Sequence, residues 1–399
     1  MFLLIVYLIV IAIIFVAALV LFGSLKTKGS IARALNMSLF LITLPRDIPG
    51  EAGQAQQRTE KELISVMEQL YSSFSNIHSK GWNKFIYGEP YISLEMAVHH
   101  VSEEIFFYIA VPKTYEQVFE KQVHGFFPTA EVEKVKDYNI FNSEGVSLGA
   151  YVKLSKNPLL PFKTYQNLQT DPLSEIATSL SKLEKESEGA AIQILIRPSH
   201  RDDLRKIAQK TAREMQSGYK FSEALSRVKH KPKKPTTNDQ QPTTPRIVTP
   251  FDEEIIKGIQ SKATKPLFDT NIRVIVSAGS ESRATQVLSE IEGSLVQFTA
   301  SEMNALKIVK MSSRALKKIL FNFSFRLFDN SFSTLMSSEE ITSLYHFPLA
   351  STLAPRIKFL RSKPSEPPTN LPQEGIVLGK NVFRGVQTQV RMSDADRRR

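Results

Sequence analysis

Apolar residues recur at two different periods along this chain, and the switches between them lay out its elements. Residues 36–44 and 91–98 read as strands, and 104–111 (EIFFYIAV) is a continuous apolar, β-rich run of the kind a central strand carries. Between the first two, Leu63, Val66, Met67, Leu70, Tyr71 and Phe74 recur at helical spacing across 59–77. Tyr115, Val118, Phe119 and Val123 do the same across 114–126, Pro128 ends that helix, and 131–138 follows as a partly exposed strand. The order strand, helix, strand, strand, helix, strand predicts a ferredoxin-like βαββαβ unit, an antiparallel sheet with both helices on one face.

The order then recurs. Strands at 146–154, 191–196 and 271–277 alternate with helices at 171–183 and 281–295, with a last strand expected from 296 onward. An insertion in this second half holds a charged helix at 200–218 and another helix at 250–263. The stretch 229–245 between them has almost nothing apolar and cannot offset its ordering entropy. An internal duplication and two unrelated units both fit this pattern. The fold class expected is α+β: an N-terminal transmembrane helix, then two ferredoxin-like units, the second with the long insertion, then a short β segment. The boundaries expected are 1–23 for the anchor, 34–141 and 145–328 for the two units (with a linker at about 229–249), 329–362 for a short helical and extended segment, 363–373 for a proline-rich linker and 374–399 for the β segment.

The anchor expectation rests on residues 1–22, MFLLIVYLIVIAIIFVAALVLF, which carry no charge and are long enough to span the hydrocarbon core. Phe2, Leu3, Ile5, Tyr7, Phe15 and Phe22 would face lipid. Lys26, Lys28 and Arg33 follow directly, and the positive-inside bias would leave the amino terminus outside and the bulk of the chain in the cytoplasm. The lipid bilayer is thus an expected partner, and the cytoplasmic membrane, crossed once, the expected location.

The 399-residue chain has a net charge of +11, which suits nucleic acid or an anionic surface equally well. A basic helix is expected across 305–320, with Lys307, Lys310, Arg314 and Lys318 on one face and Lys317 beside them, a candidate nucleic-acid contact. A phenylalanine-rich strand is expected at 321–328. The absence of cysteine excludes disulfides, thiolate metal sites and a cysteine nucleophile. The histidines are scattered, with none paired at the i, i+4 spacing of a helical zinc site, and no Gly-x-Ser-x-Gly elbow or dinucleotide fingerprint appears. Gly375 to Asn381 approaches a phosphate loop but has three residues between its glycines instead of four, and Asn381 where Ser or Thr would follow the lysine. No catalytic residue, cofactor site or metal site is therefore assigned.

Three phrases, at 107–141, at 339–348 (EEITSLYHFP) and at 374–399 (EGIVLGKNVFRG…DRRR), resemble the amino-terminal region of membrane-anchored type IV secretion and conjugation-type DNA-translocation ATPases, the coupling motors related to HerA and FtsK. The resemblance implies that 374–399 leads into a motor domain, with Arg384, Gly385, Arg397, Arg398 and Arg399 marking the junction. The phosphate loop of that family would begin after Arg399, so its ATPase activity transfers to no residue here, and ATP and magnesium are expected only in the motor. The expected function is a non-catalytic membrane-anchoring and assembly region of such an ATPase. Its expected partners are the motor domain or subunit, secretion-channel components and further copies assembled through the motor, with DNA a candidate. The alternative is a freestanding membrane-anchored nucleic-acid-binding or scaffold protein.

Overall fold

The computed structural model describes residues 31–46, 59–79, 81–184, 187–199, 202–229, 247–360, 366–368, 370–383 and 386–397, with isolated positions before residue 31. The strands are β1 (Met37–Thr43), β2 (Ile92–Val98), β3 (Ile105–Pro112), β4 (Glu131–Val135), β5 (Val146–Leu154), β6 (Gly189–Pro198), β7 (Leu267–Ala278), β8 (Leu306–Lys310) and β9 (Thr334–Ser337). All nine form one sheet in the order β4-β1-β3-β2-β6-β7-β5-β8, with β9 added against the start of β7.

This overturns the expected pair of ferredoxin-like units. The two halves do not close into separate sheets, because β2 pairs with β6 in an antiparallel register running from Ile92 opposite Ile196 to Val98 opposite Ala190. Every residue of β2 is buried, as is all of β6 except the partly exposed Arg197. A strand with that profile carries none of the exposed charge that guards a free edge, so it must be covered on both sides. Within the short helical and extended segment expected at 329–362, β9 joins the sheet and the helix after it packs in the main core.

The helices are α1 (Glu60–Phe74), α2 (Gly81–Tyr87), α3 (Glu116–Phe126), α4 (Pro172–Leu180), α5 (Asp202–Gln216), α6 (Phe221–Lys229), α7 (Pro250–Thr264), α8 (Glu281–Ser294), α9 (Ser313–Ser324), α10 (Ser338–Leu344) and α11 (Asp394–Arg397). One face of the sheet is covered by α1, α3, α4, α8 and α10, whose buried Leu70, Phe119, Ile176, Leu288 and Ile341 share a core with Phe40, Leu94, Ile194 and Val274. The other face is covered by α9 and the chain after β4, through Ile319, Phe323 and Ile140 over Tyr108, Ala191 and Ile275. The insertion helices α5, α6 and α7 make a satellite core of their own around Ala212, Leu225 and Ile259.

Two local readings are corrected. The basic helix expected at 305–320 is strand β8 followed by α9, because Leu306 to Lys310 extends the sheet beside β5. The phenylalanine-rich strand is the second half of α9 and the turn after it. Phe323 enters the core, while Phe321 and Phe325, one helical turn apart, pack ring on ring with centroids 4.7 Å apart.

β10 (Ile376–Phe383) and β11 (Val386–Met392) pair as an antiparallel hairpin, a two-stranded sheet separate from the large one. Arg384 and Gly385 lie outside the described residues, as do Arg398 and Arg399.

The membrane expectation is also corrected. Among the described residues no helix is long and apolar enough to cross a membrane. The longest described helices, α1, α5 and α7, have 15 residues each and are amphipathic, short of the roughly 20 apolar residues a span requires. Of the run at 1–22, Phe2, Leu3, Ile5 and Phe22 fall outside the described residues, and Tyr7 and Phe15 are isolated exposed positions. The structure therefore gives the anchor, the single-pass location and the lipid partner no support.

Candidate functional site

The most unusual feature of the sheet is a polar row through its middle. In register, Tyr108 on β3 lies opposite Glu95 on β2, Glu95 opposite Gln193 on β6, Gln193 opposite Arg273 on β7, and Arg273 opposite Tyr151 on β5. Facing pairs share a side of the sheet, so the five side chains line up across the seam between the halves. Glu95, Gln193 and Arg273 are fully buried.

The carboxyl end of α9 closes over this row. Arg273 donates from Nη1 to Gln193 Oε1 at 2.8 Å and to the carbonyl of Asn322 at 3.0 Å, and from Nη2 to the carbonyl of Leu327. Gln193 Nε2 donates to Glu95 Oε1 at 3.0 Å and to the carbonyl of Phe323 at 3.2 Å. These contacts set a cation at the negative end of the helix, against the carbonyl of Asn322 in its last turns and that of Leu327 just past it. Burial pulls the Arg273 guanidinium below its usual pKa range.

Arg326 completes the closure. The Leu327 amide bonds back to the carbonyl of Asn322 and the Arg326 amide to that of Phe323, a Schellman ending that puts Arg326 at the left-handed position glycine normally takes, φ 51°. Its guanidinium meets Glu95 at 2.8 and 3.1 Å and Asp137 at 2.8 and 3.2 Å. Glu95 also accepts from Tyr138 Oη at 2.8 Å and Ser93 Oγ at 2.6 Å. Burial, reinforced by Glu95, pushes the Tyr138 hydroxyl well above its usual pKa. With both oxygens of Glu95 engaged, the row binds β2, β6, β7 and α9 together rather than offering a free acid or base.

A second buried cluster is built on 339–348 (EEITSLYHFP). Ser337 and Glu340 form a reciprocal capping box at the start of α10. Glu340 also pairs with Lys262 of α7 at 2.8 Å, both side chains almost wholly buried. Its neighbour Glu339 meets Lys265 at 2.6 Å, which also reaches Glu68 of α1 at 2.8 Å. At the other end of the phrase, His346 Nε2 lies 2.9 Å from Asp171, which accepts from Thr352 Oγ1 at 2.6 Å and caps α4 through the Leu173 amide. Burial opposes ionisation of Asp171, but His346, Thr352 and that amide outweigh it and hold the carboxyl below its usual range. The phrase thus ties α10 to α7, α1 and α4.

The sequence-derived candidates for nucleic-acid contact are not gathered on one helical face. Lys307 and Lys310 are exposed on β8, on opposite sides of the strand, while Arg314 and Lys317 are exposed on α9. Lys318 is tied to Asp329 at 2.9 Å, which holds the Asp329 carboxyl below its usual range against the opposing effect of burial. Of the expected junction residues, Arg397 sits on α11 near Asp394, 3.9 Å away. Lys380 and Asn381, from the rejected phosphate loop, lie within β10. Among the described residues no group of three His, Asp or Glu side chains is placed to hold a metal. A cleft of about 310 Å³ lies between β1, β4 and the end of α9, rimmed by Lys113, Lys134, Asp137 and Arg326. Two of its cations are already engaged, Lys134 by Glu116 and Arg326 by Asp137.

The polar row was legible as a signal though not as a site. Glu95, Gln193 and Arg273 each interrupt an apolar strand, in ISLEMAV, AIQILI and NIRVIVS. Only the register shows that they face one another.

A family model covers residues 43–358, from the last residue of β1 through the strands and helices of the large sheet. The chain belongs to the family described as a domain of unknown function, DUF8128. No curated protein matches the chain. The DUF8128 span includes both buried clusters and stops before β10, so the hairpin lies outside the family match.

Proposed function

We propose that the chain is a non-catalytic assembly region of a translocating ATPase, its fused sheet serving as a rigid body and the β10–β11 hairpin as the junction to the motor. The observation that carries this reading is the hairpin. A lone two-stranded ribbon is marginal in water, yet this one exposes Ile376 (44%), Val377 (46%), Leu378 (59%) and Val386 (65%). Such a ribbon gains stability by packing on further structure, and its sequence is the part of the chain closest to the lead-in strand of the motor family. The polar row and the α10 cluster support the same reading, since both spend their charged groups on holding elements together.

The test places a photoreactive residue at Leu378 or Val386 in the full chain, in cells of its source, and identifies the adducts by mass spectrometry. Adducts to a P-loop ATPase are the expected result, weakened by Val377→Asp. Adducts only to proteins without a phosphate loop, or ATP hydrolysis by the purified chain alone, would overturn the reading.

A further inference from the structure

We infer that the two edges of the large sheet are complementary to each other, so that the chain binds a second copy of itself by pairing β4 of one copy with β8 of the next. The inference rests on the sheet and not on the hairpin. On the main path of the sheet, β4 and β8 are the terminal strands, each five residues long. Every neighbouring pair on that path is antiparallel, so the eight strands leave β4 and β8 running in opposite directions. A second copy set alongside in the same orientation therefore brings β8 antiparallel to β4. Its helix-bearing face stays on the same side, and the sheet continues through the junction.

Side chains select this pairing over the alternatives. Glu131 and Glu133 are exposed on β4 and lie on the α9 side of the sheet, since their partners Thr43 and Leu41 on β1 alternate with the core residues Phe40 and Ile42. Lys307 is exposed on β8 and lies on that same side, next to Val309, which faces Tyr151 of the polar row. Val132 on β4 and Ile308 on β8 face the helix layer, Ile308 within its core and the partly buried Val132 packed against it. One register satisfies both faces: Glu133 opposite Lys307 puts Val132 opposite Ile308. Opposite charges and matched apolar groups directly across a ladder each favour the pair, and like charges disfavour it.

Pairing two β4 edges would set glutamates against glutamates, and two β8 edges lysines against lysines. Charges at a sheet edge ordinarily repel any partner. Here each edge repels its own kind and fits the other, and backbone hydrogen bonds along the ladder supply the affinity. Such a contact is heterologous and leaves a free edge at each end, so it propagates until it closes a ring or extends as a filament.

The natural chain has no cysteine, so engineered thiols report without background. Differently tagged full-length copies carrying Glu133→Cys and Lys307→Cys are co-expressed and treated with a short bismaleimide. The mixed pair should cross-link about tenfold more efficiently than either variant with itself. Preferential cross-linking of like variants, or no cross-linking in any combination, overturns the proposal. In a second arm, the double variants E131K/E133K and K307E/K310E should each sediment as monomers with unchanged circular dichroism, and an equimolar mixture should reassemble. A monomeric natural chain, assembly of either variant alone, or failure of the mixture to reassemble also overturns it.

Discussion

At the scale of single residues, the charges inside this protein matter by what they leave behind when removed. Lys262 and Glu340 are both nearly inaccessible and 2.8 Å apart. Removing one member of such a pair strands the other in a medium that cannot solvate it, so Lys262→Met should cost about 3–5 kcal/mol in urea unfolding. Adding Glu340→Gln should recover most of that loss, because glutamine carries no charge and can still complete the capping box with Ser337. Asp171 gives a pH signature. Its carboxyl is held below the ordinary range in the folded chain, so its stabilisation is present above the unfolded value and is lost as pH falls through the lowered one. Asp171→Asn should therefore destabilise by roughly 3 kcal/mol near neutrality, and the penalty should shrink at acid pH, below about 4. Thermal unfolding of both proteins across that range checks the sign.

Elements show how much of the layout depends on close approach. Helix α9 can lie over β5 because Gly149 has no side chain: an added Cβ would stand 2.8 Å from Ile319 Cγ2 and 3.2 Å from Ile275 Cδ1. Gly149→Val should lift α9, loosen Arg273 and Arg326 from their carbonyl and carboxylate partners, and destabilise by about 1–3 kcal/mol or more. Hydrogen exchange should show the lost protection in α9 ahead of α1 or α4. Arg326 makes a related point. Its left-handed backbone costs a non-glycine residue roughly 1–2 kcal/mol, a strain tolerated because glycine there would leave Glu95 and Asp137 without their guanidinium partner.

For the molecule as a whole, the decisive fact is that β2 and β6 are neighbours. The two halves share a sheet, a polar row and one large core on the helix-bearing face, so they should unfold together. Residues 31–142 expressed alone would bare the full edge of β2, whose residues are all buried in the intact chain. That fragment should associate or aggregate in gel filtration, where a chain of residues 31–360, which holds all nine strands of the large sheet, stays folded. A monodisperse, folded 31–142 fragment would show that the seam is dispensable.

Local pattern alone determined most of the strands and helices, since periodicity and caps act within a few residues: β1 to β3, α1, α3, α7 and α8 lie close to where the apolar spacing puts them. The capping box at Ser337 is equally local, because its partners are three residues apart. Where strands joined was another matter. The same alternation suits two small sheets or one large one, and the choice rests on pairing between residues about a hundred positions apart, such as Glu95 with Gln193. The segment holding Lys307 to Lys318 failed for the same reason: its charges suit a helix face, but pairing with β5 made its first half an edge strand. Tertiary structure alone decided that Glu95, Gln193 and Arg273, three interruptions in three apolar strands, are one buried row. A buried charge requires a partner, and register, not sequence proximity, supplies it.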